Sequence, residues 1–293
     1  MPNHITNILT IKGDKDEIKL CLSSIRNKYE DGSTQHIDFN KIIPRPKSLD
    51  ITSGGNVDKA IAIINNDDNY FEKMLEYPWV QDEGLNSVKD IKEYCKKTLS
   101  EEDLNEGRMA IENISKYGHK DWYSWSNAKW GTKWNAYDQS EIEFGTIQFD
   151  TAWSTPFPVM QKLARNFPSL CFEIKFADED LGSNCGAYKF EDGKLTGEYQ
   201  PEGVEAMKFA CVVKDIEFEN LVIDNFAYWS MEHINEFSEA IVGLVKDGFV
   251  SELVSDLDLS TDDGIEKAEF LLKVAVENEC YEDASELKKL LGN

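Results

Sequence analysis

Residues 3–12, NHITNILTIK, alternate between polar and apolar positions and are rich in Ile and Thr. That pattern predicts a β-strand with Ile5, Leu9 and Ile11 on one face. Asn7 shares that face, so an inward Asn7 needs hydrogen-bond partners. After Gly13 the period changes. Asp14 and Glu17 have capping-box spacing, and Ile18, Leu22, Ile25 and Tyr29 recur at helical intervals. They predict an amphipathic helix over 14–30 that packs on one side. A loop over 31–35 leads into an apolar, extended stretch at His36–Ile43, which Pro44-Arg45-Pro46 stops. The first 46 residues therefore read strand–helix–strand.

Residues 57–120 change to a helical and poorly patterned character. Ala60, Ile61, Ile63 and Ile64 open one helix, Val88, Ile91, Tyr94 and Cys95 mark another, and Leu104, Met109, Ile111 and Ile114 a third, which Gly118 ends. This segment reads as an insertion with glycine exits at Gly54-Gly55 and Gly118. Strand signals return at Glu141–Asp150, where Ile142 and Phe144 keep one phase and Ile147 and Phe149 the other. Gly145 sits at the phase change, as in a β-bulge. Thr155-Pro156 has the form of a helix N-cap followed by proline, with Val159, Leu163 and Phe167 on one face over 156–167. Leu170–Ala177 is a strand. Ala187–Tyr199 is a hairpin around Asp192-Gly193, and Lys208–Val213 is a further short strand. Two strand–helix–strand units with extra strands predict an α+β fold. It is a ferredoxin-like antiparallel sheet built from 1–46 and 141–215, with helices 14–30 and 156–167 on one face. The sheet domain covers 1–229 with the helical insertion at 57–120.

From residue 230 the pattern is helical to the end. Ile234, Phe237, Ile241 and Leu244 carry one helix. Ser260–Asp263 cap a hairpin over 260–292 whose apolar positions include Leu271, Leu272 and Leu287, with Tyr281 at its turn. Charge sharpens this division. The 293 residues carry a net charge of −24. Residues 230–293 hold 16 acidic and 5 basic residues, net −11 in a 64-residue tail. So acidic a chain is a poor binder of a phosphate backbone without a segregated basic face. A solvated surface is the plainer reading of the tail, and an acidic surface that meets a basic protein partner the sharper one. The hairpin is too small to stand alone and must dock on the chain's own body or pair with a second copy in a homodimer.

A 41% hydrophobic content with 11% aromatics supports a sizeable core. No run of 18 apolar residues predicts a membrane span, and the opening residues lack the basic and apolar regions of a secretory signal. Six scattered cysteines without a C-x-x-C pair read as free thiols of a cytoplasmic protein.

Five of the seven tryptophans fall between Asp121 and Pro158. A hydrophobic core is the plainer use of Trp122, Trp125, Trp130, Trp134 and Trp153. An aromatic platform for a ligand, with Tyr123 beside Trp122 and Trp125, is the functional one. Asp150, Asp178, Glu179 and Asp180 lie at strand ends and supply oxygen ligands of the kind Ca²⁺ or Mg²⁺ uses, although their spacing departs from the EF-hand loop and a solvated turn explains them as well. The four histidines show no zinc spacing, and neither a nucleophile elbow nor a phosphate loop is present. No cofactor is expected.

Several separated motifs share a known order. The opening PNHITNILTIKG, the PRP after the first helix, WGTKW, FDTAWSTP and the loop Gly182-Ser183-Asn184-Cys185-Gly186 together resemble the YubB-like proteins of plasmids and phages over about residues 1–229. The resemblance implies a ferredoxin-like domain interrupted by a helical insertion, in an accessory protein of a mobile element with no established activity. The final AVENECYEDASELKKLL resembles the UVR motif of UvrB and UvrC, a helical hairpin that pairs with a second copy. Lys288-Lys289 stand where that motif has Arg-Asp. Two functions follow. One is a non-enzymatic interaction protein with an acidic surface. The alternative is a small-ligand-binding module or metal-dependent hydrolase that uses the tryptophan cluster and the acidic loop at 178–180.

Overall fold

The computed structural model describes residues 3–29 and 32–292. Pro2 of the opening motif, Glu30 at the end of the expected first helix and Asp31 at the start of the expected loop lie outside them. A six-stranded sheet forms the centre. Its strands are β1 (His4–Lys12), β2 (Tyr137–Glu143), β3 (Thr146–Ala152), β4 (Cys171–Asp178), β5 (Gly186–Glu191) and β6 (Lys194–Tyr199). All neighbours are antiparallel, in the order β2-β3-β1-β4-β5-β6. The first four strands in that order, with helices α1 (Lys15–Ile25) and α9 (Phe157–Asn166), make the βαββαβ core of a ferredoxin-like fold.

Three expectations about this core need correction. His36–Ile43 is not the second strand, because it folds into a short helix, α2 (Phe39–Ile42), with Asp38 capping it. Phe39 and Ile42 are buried there as a helical turn, so their apolarity reports core position and not an extended backbone. The second strand comes only after the insertion, at Tyr137–Glu143. Gly145 is no bulge, either. It stands with Phe144 between β2 and β3 at φ +86°, so the side-chain phase changes because the chain reverses. The first helix also ends early. Asp14 accepts from the Asp16 and Glu17 N–H groups as its spacing predicts, but Arg26 turns extended and Tyr29 is exposed.

Leu9, Ile147, Phe149, Phe172, Ile174 and Phe190 form the apolar face of the sheet, and α1, α2 and α9 pack on it. The expected common face for the two core helices is therefore found. Asn7 lies on that face with its Nδ2 shared among Ile5 O, Phe149 O and Thr151 Oγ1. The opposite face carries Ile8 and Ala177 and is covered by α10 (Gly203–Lys214). This helix replaces the strand expected at Lys208–Val213. Ala206, Ala210 and Val213 recur at helical spacing, and they provide the surface that meets the sheet.

The insertion consists of α3 (Gly55–Asn65), α4 (Asp68–Met74), α5 (Pro78–Asp82), α6 (Val88–Thr98) and α7 (Glu101–Tyr117). It has its own core around Phe71, Met74, Val80 and Ile91. Helix α7 buries Gly107, Ala110 and Asn113, while Met109 and Ile114 are exposed. A Cβ on Gly107 would come within 2.7 Å of the Ala60 Cβ, so only small residues allow α3 this close. Gly118 closes α7 in the left-handed conformation, as expected. Helix α8 (Trp122–Lys129) then leads back to the sheet.

Beyond α10 come α11 (Phe218–Phe226), α12 (Met231–Glu236), α13 (Ser238–Lys246), α14 (Val250–Val254), α15 (Asp262–Glu277) and α16 (Tyr281–Leu290). Helices α15 and α16 form the expected hairpin. Thr261 caps α15 by accepting from Gly264 N at 3.1 Å. The hairpin packs into a cluster shared with α11, α13 and α14, in which Leu271 and Leu287 are fully buried. Its apolar face is thus occupied within the chain. Val222 and Phe226 belong to the same cluster, so the helical body begins before residue 230. Among the described residues no helix is long and apolar enough to cross a membrane.

Candidate functional site

Three of the sequence motifs converge at one end of the sheet. WGTKW follows α8, FDTAWSTP runs from β3 into α9, and the 182–186 loop joins β4 to β5. Thr132 Oγ1 donates to Ala152 O at 2.7 Å and accepts from Ala152 N at 3.1 Å. Ser154 Oγ donates to Gly131 O. Asn184 Nδ2 donates to Trp153 O at 3.0 Å and to Asp178 Oδ2 at 3.2 Å. The buried Asp178 carboxylate also accepts from Asn3 Nδ2 and Asp180 N, so three N–H groups hold it as a hub for the surrounding loops. Trp153 sits at this junction with φ +72°, a left-handed conformation that costs a non-glycine residue about 1–2 kcal/mol. Its N–H donates to Asn3 O and its carbonyl accepts from Asn184, which fixes that backbone from both sides.

The tryptophan cluster divides in two. Trp125 and Trp130 are buried in the sheet core, edge to face with centroids 5.5 Å apart. Trp130 Nε1 donates to Ile43 O at 2.9 Å, and the Arg45 guanidinium of the PRP segment lies 5.2 Å from its ring. Trp134 and Trp153 are exposed, with the Lys133 ammonium between them at 4.6 and 4.9 Å. Tyr123 meets Trp153 and Trp122 by its edges, so these rings are a half-open surface row. Lys133 escaped the sequence reading, although its place between two tryptophans was the available signal. Tyr137 continues the row, with its hydroxyl 2.8 Å from His4 Nδ1. Burial, with Asp150, Asp138 and Glu179 nearby, pushes the Tyr137 hydroxyl up to about 12.

The four acids expected as metal ligands do not form a ligand set. Asp178 has its oxygens committed to three N–H donors. Asp150 lies across the sheet beside Thr6 and Lys214, and burial raises its carboxyl above the usual range against the lowering effects of those two partners. Glu179 and Asp180 are exposed. Among the described residues no three of His, Cys, Asp and Glu come together as a metal ion needs. All six cysteines are free, and burial pushes the Cys185 thiol up.

Beside the junction lies an open cleft of ≈ 440 Å³. Phe157 of α9, Phe176 of β4 and Tyr188 of β5 form its apolar wall, with Phe176 and Tyr188 stacked at 5.6 Å and Phe157 edge-on to Tyr188 at 4.8 Å. Thr155, Asn184 and Gln200 supply polar groups. Thr155 has the form of a helix cap, yet its hydroxyl caps nothing. The helix starts at Phe157, and Pro158 stands at the second position without an N–H to donate. Among the described residues Thr155 Oγ1 is buried with no hydrogen-bond partner, in a residue 8% exposed that lines the cleft. Phe176 and Tyr188 gave no sequence signal, because an aromatic in a strand looks the same whether it faces a core or a cleft, and Gln200 follows the last strand without a motif of its own.

Of the hairpin residues, Leu271 and Leu287 are buried and Leu272 is half-buried, while Tyr281 is 67% exposed at the turn. They are far from this junction in sequence and belong to the separate helical cluster.

Comparison with known proteins bears on the sheet domain. Residues 129–223, about a third of the chain, match a family model described as the ferredoxin-like domain in Api92-like protein. Among solved structures, the crystal structure of the protein api92 from Yersinia pseudotuberculosis aligns over 69% of this chain and 99% of its own, at 13% identity and a TM-score of 0.30. No curated protein matches. The βαββαβ sheet therefore is a ferredoxin-like domain, similar over residues 129–223 to that of the Api92-like proteins, a family of unknown function.

Proposed function

We propose that the chain is a non-enzymatic binding module, in the mobile-element accessory role that its YubB-like resemblance implies, and that its ligand occupies the cleft beneath Thr155. The observation that carries this reading is the Thr155 hydroxyl. A buried hydroxyl without a partner costs about 1–3 kcal/mol, and a donor or acceptor on a ligand removes that cost. Three aromatic rings and a few polar groups are the usual composition of a small-ligand site, and ≈ 440 Å³ falls within the usual size range. The cleft residues include neither a histidine nor an exposed thiol, since Cys185 is buried, which favours binding over nucleophilic chemistry. Such a module needs no reactive group, because holding its ligand is the whole task.

The test is a ligand-observed NMR screen of neutral aromatic fragments such as indole and benzamide. Binding is expected in the wild type and is lost in Tyr188→Ala. In Thr155→Val, which keeps the shape of the side chain, fragments able to hydrogen bond weaken while purely apolar ones do not. Fragments that bind the two variants and the wild type alike would place the site elsewhere.

A further inference from the structure

We infer that the cleft is built for a planar cation, a guanidinium or amidinium group laid on the aromatic wall with its N–H edge toward oxygen acceptors. This inference rests on the binding reading above and adds the chemical class of the ligand.

Charge is the first argument. Among the described residues the one charged residue that lines the cleft is Glu202, and no Lys, Arg or His lines it. The loop on its border carries Asp178, Glu179 and Asp180, and Glu198 accepts from Gln200 Nε2 at 2.8 Å. An anion entering here would meet carboxylates and no side-chain cation. The amino end of α10 is the electropositive feature nearby, worth about half a positive charge. Glu202 and Glu205 stand at that end, and a Glu236 carboxylate oxygen lies beside Gly203, so carboxylates surround it.

The wall is the second. An aromatic face attracts a cation within about 6 Å of its centre, most strongly where water is partly excluded. Phe176 and Tyr188 are stacked 19° from parallel, and a flat group extends such a stack better than a tetrahedral ammonium does.

The acceptors are the third. Both N–H bonds of the Asn184 amide are engaged, one by Trp153 O and one by Asp178 Oδ2. The Gln200 amide donates one of its two N–H bonds to Glu198. What Asn184 has left to offer is its oxygen, and Gln200 offers its oxygen beside one remaining N–H. Thr155 Oγ1 adds two unused lone pairs. A guanidinium presents only donors, in a flat fork, and so complements an acceptor-rich rim. The group can arrive on a free small molecule or as an arginine side chain of a protein.

The test compares three probes of one shape, benzamidinium, benzamide and benzoate, by titration calorimetry on the whole chain, together with the peptide acetyl-Gly-Arg-Gly-amide. Benzamidinium is expected to bind about tenfold tighter than benzamide, the ratio one favourable cation–ring contact gives, and benzoate to bind least. Glu202→Gln should shrink that ratio, and Thr155→Val should weaken benzamidinium, with circular dichroism confirming that both variants fold. Peptide binding comparable to benzamidinium identifies a protein side chain as the source. Benzamidinium binding without the peptide identifies a free ligand. Benzamide equal to benzamidinium, or benzoate the tightest, overturns the cation and leaves the binding module standing. Failure of all three aromatic probes overturns both.

Discussion

Trp153 offers a measurement that separates backbone strain from side-chain contact. Its φ of +72° costs about 1–2 kcal/mol for any residue with a Cβ. Trp153 is 40% exposed, and its ring makes an edge contact with Tyr123 at 6.1 Å and a cation–ring contact with Lys133 at 4.9 Å. Such contacts contribute about 0.5–1.5 and 0.5–1 kcal/mol, and the exposure puts both toward the lower end. Trp153→Ala loses the contacts and keeps the strain, so it should cost about 1–2 kcal/mol. Trp153→Gly loses the same contacts but relaxes the backbone. Part of that relief is offset by the greater freedom of glycine in the unfolded chain. The glycine variant should therefore be more stable than the alanine variant by several tenths to about 1 kcal/mol. Urea unfolding followed by far-UV circular dichroism and fluorescence gives the comparison, with equal slopes required for the midpoints to be read as stability. An alanine variant as stable as the glycine one, or more so, would refute the strain argument. It would mean that the hydrogen bonds from Asn184 and to Asn3 are not what hold a costly conformation.

Two further outcomes follow from burial and charge. Leu271→Asp together with Leu287→Asp places two charges in the core of the helical cluster, at several kcal/mol. The variant should lose helical signal and become protease-sensitive in 218–292. A folded variant that merely changes its sedimentation coefficient would show instead that these leucines serve a contact between chains. Asp150 has a carboxyl pKa raised above its unfolded value, chiefly by burial. Between those two values the native state binds more protons than the unfolded one, so stability falls as pH rises through that window. Asp150→Asn should therefore remove a decline in melting temperature on the alkaline side of the carboxylate range. An unchanged pH profile would count against the shift.

Local signals alone specified much of this protein. The alternation of 3–12, the capping residues Asp14 and Thr261, the turn at Asp192-Gly193 and the left-handed stop at Gly118 all act over a few residues, and each is found where its spacing puts it. The separated motifs were legible as well, but not as a site. Nothing local says that Asn184 reaches Trp153 across 31 residues, or that Asp178 is a buried hub and not a metal ligand. Periodicity also failed where position outweighed it. Phe39 and Ile42 have the composition of a strand, yet they pack as a helical turn on the sheet. Lys208–Val213 is apolar enough for either structure, and it became helical because the second face of the sheet needed a cover with small residues at Ala206 and Ala210. The sharpest case is Thr155. Its sequence context reads as a cap, and only the placement of Pro158 and the opening between β4, β5 and α9 leave its hydroxyl buried and unpartnered. A residue's chemistry is local. Whether that chemistry is used up by the fold depends on which distant atoms reach it, and only the tertiary structure decides that.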